Sequence, residues 1–218
     1  MTICRVVVQT VALCVFLYAG SISASEKSGP GSFSKGDLSG WEEKSFKGNS
    51  QYSFVESNIG KVLRANTEGK ASGLFKEVSV DLTKTPWINW SWKIENTFKD
   101  NNERSKEGDD YAARVYIVVS GGVFFWNTKA LNYVWASYEP KDSSWPNAYT
   151  GNAKMLAVRS GDIKVDQWVI EKRNAREDFK KLFGEDITQI DVIAVMVDGD
   201  NTGQSATSYF GDIFFSED

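Results

Sequence analysis

The chain has 218 residues, 25 basic against 29 acidic side chains and a formal net charge of -4. With an acidic balance and no long basic run, nucleic acid is excluded as a partner. There is no histidine, and both cysteines, Cys4 and Cys14, lie near the start. Beyond them the chain has no thiol nucleophile, no Ser-His-Asp triad and no histidine- or cysteine-based zinc site.

Residues 1–24 carry one basic residue, Arg5, then an apolar run over 6–19 and small residues from Gly20. This pattern predicts a secretory signal peptide cleaved after Ala24 and a periplasmic or secreted protein. The run is shorter than the roughly 20 residues that span a bilayer, so no transmembrane anchor is expected. With both cysteines removed, a hydrophobic core must hold the fold without disulfides. The Gly/Ser/Pro-rich residues 25–32 read as a flexible lead-in, and 33–218 as a single domain, with a monomer as the default state.

From there short β-type runs alternate with turn clusters, predicting strands over 51–56, 61–66, 73–81, 88–95, 111–119, 131–137, 155–159, 168–172, 190–197 and 207–215. In WINWSWKI, residues 87–94, period two puts Ile88, Trp90, Trp92 and Ile94 on one face, which reads as core. Trp87 is the member left for the surface. FKDNNERSKEGDD, residues 98–110, reads as a charged rim loop. In NAREDFKKLFGE a helix is capped by Asn174, has Glu177 three residues on and ends at Gly184. Its apolar face, Ala175, Phe179, Leu182 and Phe183, lies against the strands. The class is therefore an all-β sandwich with one short crossover helix.

Five segments add a resemblance: GDDYAARVYIVV (108–119), LNYVWAS (131–137), MLAVRSG (155–161), QWVIEKRNAREDFKKLFGE (167–185) and IDVIAVMVDGDNTGQSATSYFGDIFF (190–215). Together they resemble a bacterial exported family known only as a domain of unknown function. FSKGDLSGWEEKSF and VLRANTEGKASGLFKEVSVDL, nearer the start, resemble a galactose-binding-like jelly roll. The resemblance implies a jelly-roll β-sandwich and export, and it assigns no catalytic residue.

Charge embedded in strands marks the candidate site. Asp110, Arg114 and Tyr116 share a strand face, Arg159 ends another strand, Glu171 and Arg173 share a face of the strand after Trp168, and Asp198 ends its own. If the sheet brings them together, they form either a structural ion-pair network or a saccharide site whose planar guanidinium groups bond hydroxyls or a carboxylate. Trp145, in a loop with Tyr149 following, is the candidate for stacking on a sugar.

Asp198, Asp200 and Asn201 in VDGDNTGQS offer oxygen ligands for calcium in a glycine-bearing turn, although an EF-hand fails because its twelfth position is Tyr209. A plain polar turn is the alternative. Asp110, Glu171 and Asp198 could also supply the carboxylate pair of a glycosidase, or with Tyr116 or Tyr133 and an arginine the machinery of a polysaccharide lyase. The apolar residues Phe124, Phe125 and Trp126 suggest a tip that meets an envelope protein or lipid, or a buried strand. Non-catalytic carbohydrate recognition is the leading expectation.

Overall fold

The structure, a computed structural model, describes residues 29–123 and 125–218. The expected signal peptide, residues 25–28 of the lead-in and Phe124 of the apolar trio lie outside the described residues. The strands are β1 (Trp41–Lys47), β2 (Gln51–Ser57), β3 (Gly60–Glu68), β4 (Ala71–Asp81), β5 (Trp87–Ile94), β6 (Ala113–Val119), β7 (Lys129–Ala136), β8 (Ser144–Pro146), β9 (Ala153–Ser160), β10 (Val169–Asn174), β11 (Gln189–Asp198), β12 (Ser205–Phe210) and β13 (Phe214–Ser216), with helix α1 (Ala175–Phe183) between β10 and β11.

They form a jelly-roll sandwich of two sheets. One sheet has the order β1-β4-β11-β6-β7-β9-β8, and the other β10-β5-β12-β3-β2 with β13 paired to β5. Every pairing between these strands is antiparallel except β7 with β9. Helix α1 crosses from the six-stranded sheet to the seven-stranded one. Asn174 Oδ1 accepts from the Glu177 amide at 3.0 Å, Gly184 takes the left-handed conformation at φ 73°, and Phe179 is fully buried.

WINWSWKI alternates half-buried and buried along its length. Trp90 stacks on Tyr133 of the facing sheet with centroids 5.2 Å apart and meets Trp92 edge-on at 5.4 Å, while Trp92 lies 5.8 Å from Trp135. These rings join the two sheets, with offset and edge-to-face geometry adding to the area they bury. Trp87 is half-buried under Lys172, whose Nζ sits 5.1 Å from its centroid.

Three expectations change. The lead-in is docked from Gly29 onward: Gly31 exchanges backbone hydrogen bonds with Ile213 at 3.1 and 2.9 Å, and a Cβ on Gly29 would sit 2.3 Å from the Ile213 carbonyl oxygen. β1 and β8 were not legible, because only Trp41 of β1 is buried and β8 is three residues long and ends in proline. The 98–110 segment is a rim only in part: Lys99, Asp100, Asn102, Arg104, Lys106 and Glu107 are exposed, but Phe98, Asn101, Glu103, Asp109 and Asp110 are buried. Glu103 accepts from the amides of Ser137, Tyr138 and Glu139 at 2.7, 3.1 and 2.9 Å, while burial pushes its carboxyl upward against those three bonds.

Because Trp90 fills the inter-sheet space beside two other rings, Trp90→Ala should lower unfolding free energy by about 3–5 kcal/mol. Urea unfolding of the variant against the parent measures this, and a loss below about 1 kcal/mol would contradict the placement.

Candidate functional site

Val115, Ile117, Leu131, Tyr133, Val195 and Val197 point into the core, so alternation turns Arg114, Tyr116, Asn132, Met196 and Asp198 to the outer face of the seven-stranded sheet. A cavity of about 400 Å³ lies there. Its floor is Arg114, Tyr116, Asn132 and Met196, one wall is Asp109, Asp198, Asp200 and Asn201, and Phe46, Asn147 and Tyr149 stand around the mouth.

Arg114 is only 4% exposed, and its Nε and Nη2 donors are taken while Nη1 lies 3.8 Å from Asp109 Oδ2. Nε donates to Asp198 Oδ1 at 2.8 Å and Nη2 to Asp198 Oδ2, giving a two-pronged contact, and Nη2 also meets the Asp109 carbonyl at 2.5 Å. The guanidinium lies 4.3 Å from the Tyr111 ring centroid. Burial works against its charge, but Asp198, Tyr116 and Asp109 more than offset this, so it is held firmly charged.

The neighbouring acids set the loops. Asp110 Oδ1 accepts from the Asn201 amide at 3.2 Å and from Asn201 Nδ2 at 3.1 Å, and Oδ2 accepts from the Thr202 amide at 2.6 Å. Asn147 Nδ2 donates to both Asp109 oxygens at 3.1 and 3.0 Å. The Tyr149 hydroxyl donates to Asn201 Oδ1 at 2.9 Å, which steadies the ring while leaving 56% of the residue exposed. Phe46, 57% exposed, begins an aromatic row through Phe75 to Tyr116 with centroid steps of 6.2 and 6.1 Å.

Two floor groups are under-used. The Tyr116 hydroxyl donates only to Met196 Sδ, at 3.2 Å, a weak acceptor. Asn132 Nδ2 donates to the Lys154 carbonyl at 3.3 Å, and no described donor meets its Oδ1.

The expected site residues therefore divide. Asp110, Arg114, Tyr116, Asp198, Asp200 and Asn201 meet around the cavity, whereas Arg159, Glu171 and Arg173 do not join them. Val169 of β10 is core, so Glu171 and Arg173 face inward with it. Across the gap between the sheets Arg159 Nε donates to Glu171 Oε1 at 2.5 Å, and Trp92 Nε1 donates to the same oxygen at 3.1 Å. Arg173 donates to both oxygens of Asp178, to Oδ2 at 3.0 Å and Oδ1 at 2.6 Å, and the Tyr133 hydroxyl donates to Oδ2 at 3.1 Å. These ion pairs satisfy core aromatics. The carboxylate set Asp110, Glu171 and Asp198 accordingly lies on two sides of one sheet.

Trp145 is also misplaced as a stacking platform, being 3% exposed in a small cluster with Tyr111, Val134, Ala136, Met155 and Ala157. Its Nε1 donates to the Glu103 carbonyl at 3.1 Å. Phe46, Asn132 and Asn147, which were not anticipated, and Tyr149, which was noted only as a neighbour of Trp145, occupy the cavity instead.

The calcium expectation meets a crowded donor set. Asp110, Asp198 and Asp200 bring carboxylate oxygens within 4.8 Å of one another. However, the Asp198 oxygens face Arg114, those of Asp110 accept backbone amides, and Asn201 Oδ1 accepts from Tyr149, so a cation would displace these bonds and abut a buried guanidinium. The residues do not fit calcium.

Fold and site together define a jelly-roll β-sandwich with an acidic, aromatic-rimmed cavity on an outer sheet face. The family described as "Protein of unknown function (DUF3047)" matches residues 39–214, and the chain belongs to it. No curated protein sequence matches. Among solved structures the chain is similar to a non-crystalline cellulose specific carbohydrate-binding module, CBM28, at 12% identity, covering 89% of this chain and 97% of that one with a TM-score of 0.48. It is also similar to the cellulose induced protein Cip1 at 7% identity, with 84% and 93% covered and a TM-score of 0.49, and to TmCBM61 in complex with β-1,4-galactotriose at 13%, 87%, 95% and 0.41 respectively.

Removing one member of the Arg114–Asp198 pair leaves a buried uncompensated charge. Arg114→Met should therefore cost about 3–5 kcal/mol in urea unfolding, far above an exposed ion-pair deletion such as Arg176→Met. Because Asp198 and Asp110 are already engaged and Arg114 abuts them, the melting temperature should be the same in a chelator as in excess calcium; a rise of several degrees with calcium would overturn the exclusion.

Proposed function

We propose that the protein recognises a neutral saccharide in the cavity on the outer face of its seven-stranded sheet. One observation carries this: Phe46 and Tyr149 expose apolar ring faces at the mouth of a cavity whose floor holds an under-used donor, the Tyr116 hydroxyl, and an unmet acceptor, Asn132 Oδ1. A sugar ring presents both requirements, with C–H faces for the aromatics and hydroxyls that donate and accept. The volume lies at the low end of the roughly 300–1,000 Å³ usual for small-ligand sites, which suits a few rings of a glycan.

The charge supports a neutral ligand. Asp109, Asp198 and Asp200 line the wall and Asp110 is buried behind it; of the cations, Arg114 is paired with Asp198, Lys47 Nζ lies 4.0 Å from Asp200, and Lys44 and Lys106 lie outside the wall over the Phe46 and Tyr149 rings, 5.9 and 5.3 Å from their centroids. Burial first and Asp110 second raise the Asp200 carboxyl above its ordinary value. An anionic sugar would meet repulsion, while hydroxyl groups can donate to this wall. Export by residues 1–24 belongs to the same proposal, since it would bring the cavity to extracellular polysaccharide. Among the described residues, no helix is long and apolar enough to cross a membrane.

The test is calorimetric titration with short neutral β-linked glucan, mannan and galactan oligosaccharides. The parent should bind at least one series, and Phe46→Ala and Tyr149→Ala should each weaken that binding about tenfold or more, from losses of about 1–2 kcal/mol of stacking, at an unchanged melting temperature. Tyr149→Phe should retain most of the affinity. Equal binding by both alanine variants, or no binding to any series, would overturn the proposal.

A further inference from the structure

A second row of side chains crosses the other sheet. Leu63, Ala65, Trp92, Ile94 and Phe210 face the core, so Arg64, Lys93 and Tyr209 point outward from β3, β5 and β12. They stand in register: Ser53 pairs with Arg64, Arg64 with Tyr209, and Tyr209 with Lys93. Trp168, just before β10, extends the row and meets Tyr209 edge-on at 6.5 Å. Aromatic and cationic side chains thus alternate across four strands.

The row lines a cleft of about 470 Å³, with Glu56 and Asn58 at its rim. Lys93 Nζ sits 4.4 Å over the Tyr209 centroid, the Arg64 guanidinium lies near the Tyr209 hydroxyl, and that hydroxyl donates to Glu95 Oε1. Both cationic heads converge on one ring. Among the described residues no carboxylate comes within ion-pairing distance of Arg64 or Lys93, although the other arginines at strand or helix positions, Arg114, Arg159, Arg173 and Arg176, each have one. Two half-buried cations with no carboxylate in ion-pairing distance, beside ring faces and with Glu56 and Glu95 further out, are arranged for an anion carried on a ring.

We propose that this cleft is a second binding site, selective for a uronic acid residue. The carboxylate would take its hydrogen bonds from Arg64 and Lys93, and the pyranose ring would lie against Tyr209 and Trp168. Arg64 can offer a planar pair of donors, and Lys93 a point charge. The site is independent of the cavity on the opposite face, and its floor differs: Arg64 and Lys93 lie under this cleft, whereas Asp109, Asp198 and Asp200 line the other.

The experiment is isothermal titration of the purified protein with tri-galacturonic acid and, in parallel, with its methyl ester, which keeps the ring and removes the charge. The acid should bind and the ester should not, with affinity falling as salt rises. Arg64→Ala and Lys93→Met should each weaken binding about tenfold or more, the loss of one charge-assisted hydrogen bond. Arg64→Lys should recover part of it, and Tyr149→Ala on the opposite face should bind like the parent. Lys93→Met keeps an apolar stem over Tyr209, so it preserves the fold should Arg64→Ala not fold, and melting temperatures verify this. Absence of binding, equal binding of acid and ester, or loss in Tyr149→Ala with retention in Lys93→Met would each overturn the site.

Discussion

The contact on which the candidate site depends is the buried fork between Arg114 and Asp198. A guanidinium on a sheet face closed to water needs a counter-charge, because bare burial costs several kcal/mol and the pair regains this only through close, well-aligned bonds. Here Asp198 supplies two acceptors and the Asp109 carbonyl a third. Meeting that demand fixes the backbone at Asp109, and the bonds propagate outward. Asp109 holds Asn147, Asp110 holds the 201–202 turn, and Asn201 holds Tyr149. A charge that could have been a ligand contact has become the post on which the cavity wall is hung.

The same economy explains the second polar group of the fold. Near the edge strand β10, Arg159 with Glu171 and Arg173 with Asp178 occupy space that aliphatic side chains fill elsewhere, and each carboxylate also accepts from a core aromatic, Trp92 or Tyr133. A buried indole or phenol needs a partner for its polar atom. Among the described residues the ion pairs provide acceptors to Trp92 and Tyr133, Trp135 uses the Gly161 carbonyl, and Trp90 Nε1 meets none. They are structural because the aromatic core is wide and its rings are polar at one end.

Much of the fold was legible because period-two alternation reports burial directly, as in WINWSWKI, and because Asn174, Glu177 and Gly184 spell out a helix whose ends are set locally. The candidate site was only half legible. Within one strand the pattern shows which residues share a face, but which face meets the core depends on neighbours distant in sequence. β10 is the clearest case. Trp168 and Ile170 look like its apolar side, yet Ile170 is 81% exposed and Val169, Glu171 and Arg173 turn inward. Phe46 was hidden for a related reason: its strand buries only Trp41, so nothing in its composition marks it as a strand. Glu103 is a third, since a carboxylate in a charged run gives no sign that three backbone amides will enclose it.

The two outer faces place different charges at the floor of their clefts although they belong to one sandwich, and the fold explains how that is possible. Inward positions are bound by packing, where each methylene is felt, but outward positions share only the strand register and can change sign without disturbing the core. One cleft has carboxylates around an enclosed pair, the other has Arg64 and Lys93 converging on Tyr209. With a core about 10 Å thick between the sheets, the faces look in opposite directions and a short, stiff oligosaccharide cannot reach both. Occupancy of one should therefore leave the affinity of the other unchanged, apart from the weak field that survives screening across the sandwich. Any coupling observed between neutral and acidic glycans would have to arise from a chain long and flexible enough to wrap an edge, in which case linkage raises the effective concentration without a new contact.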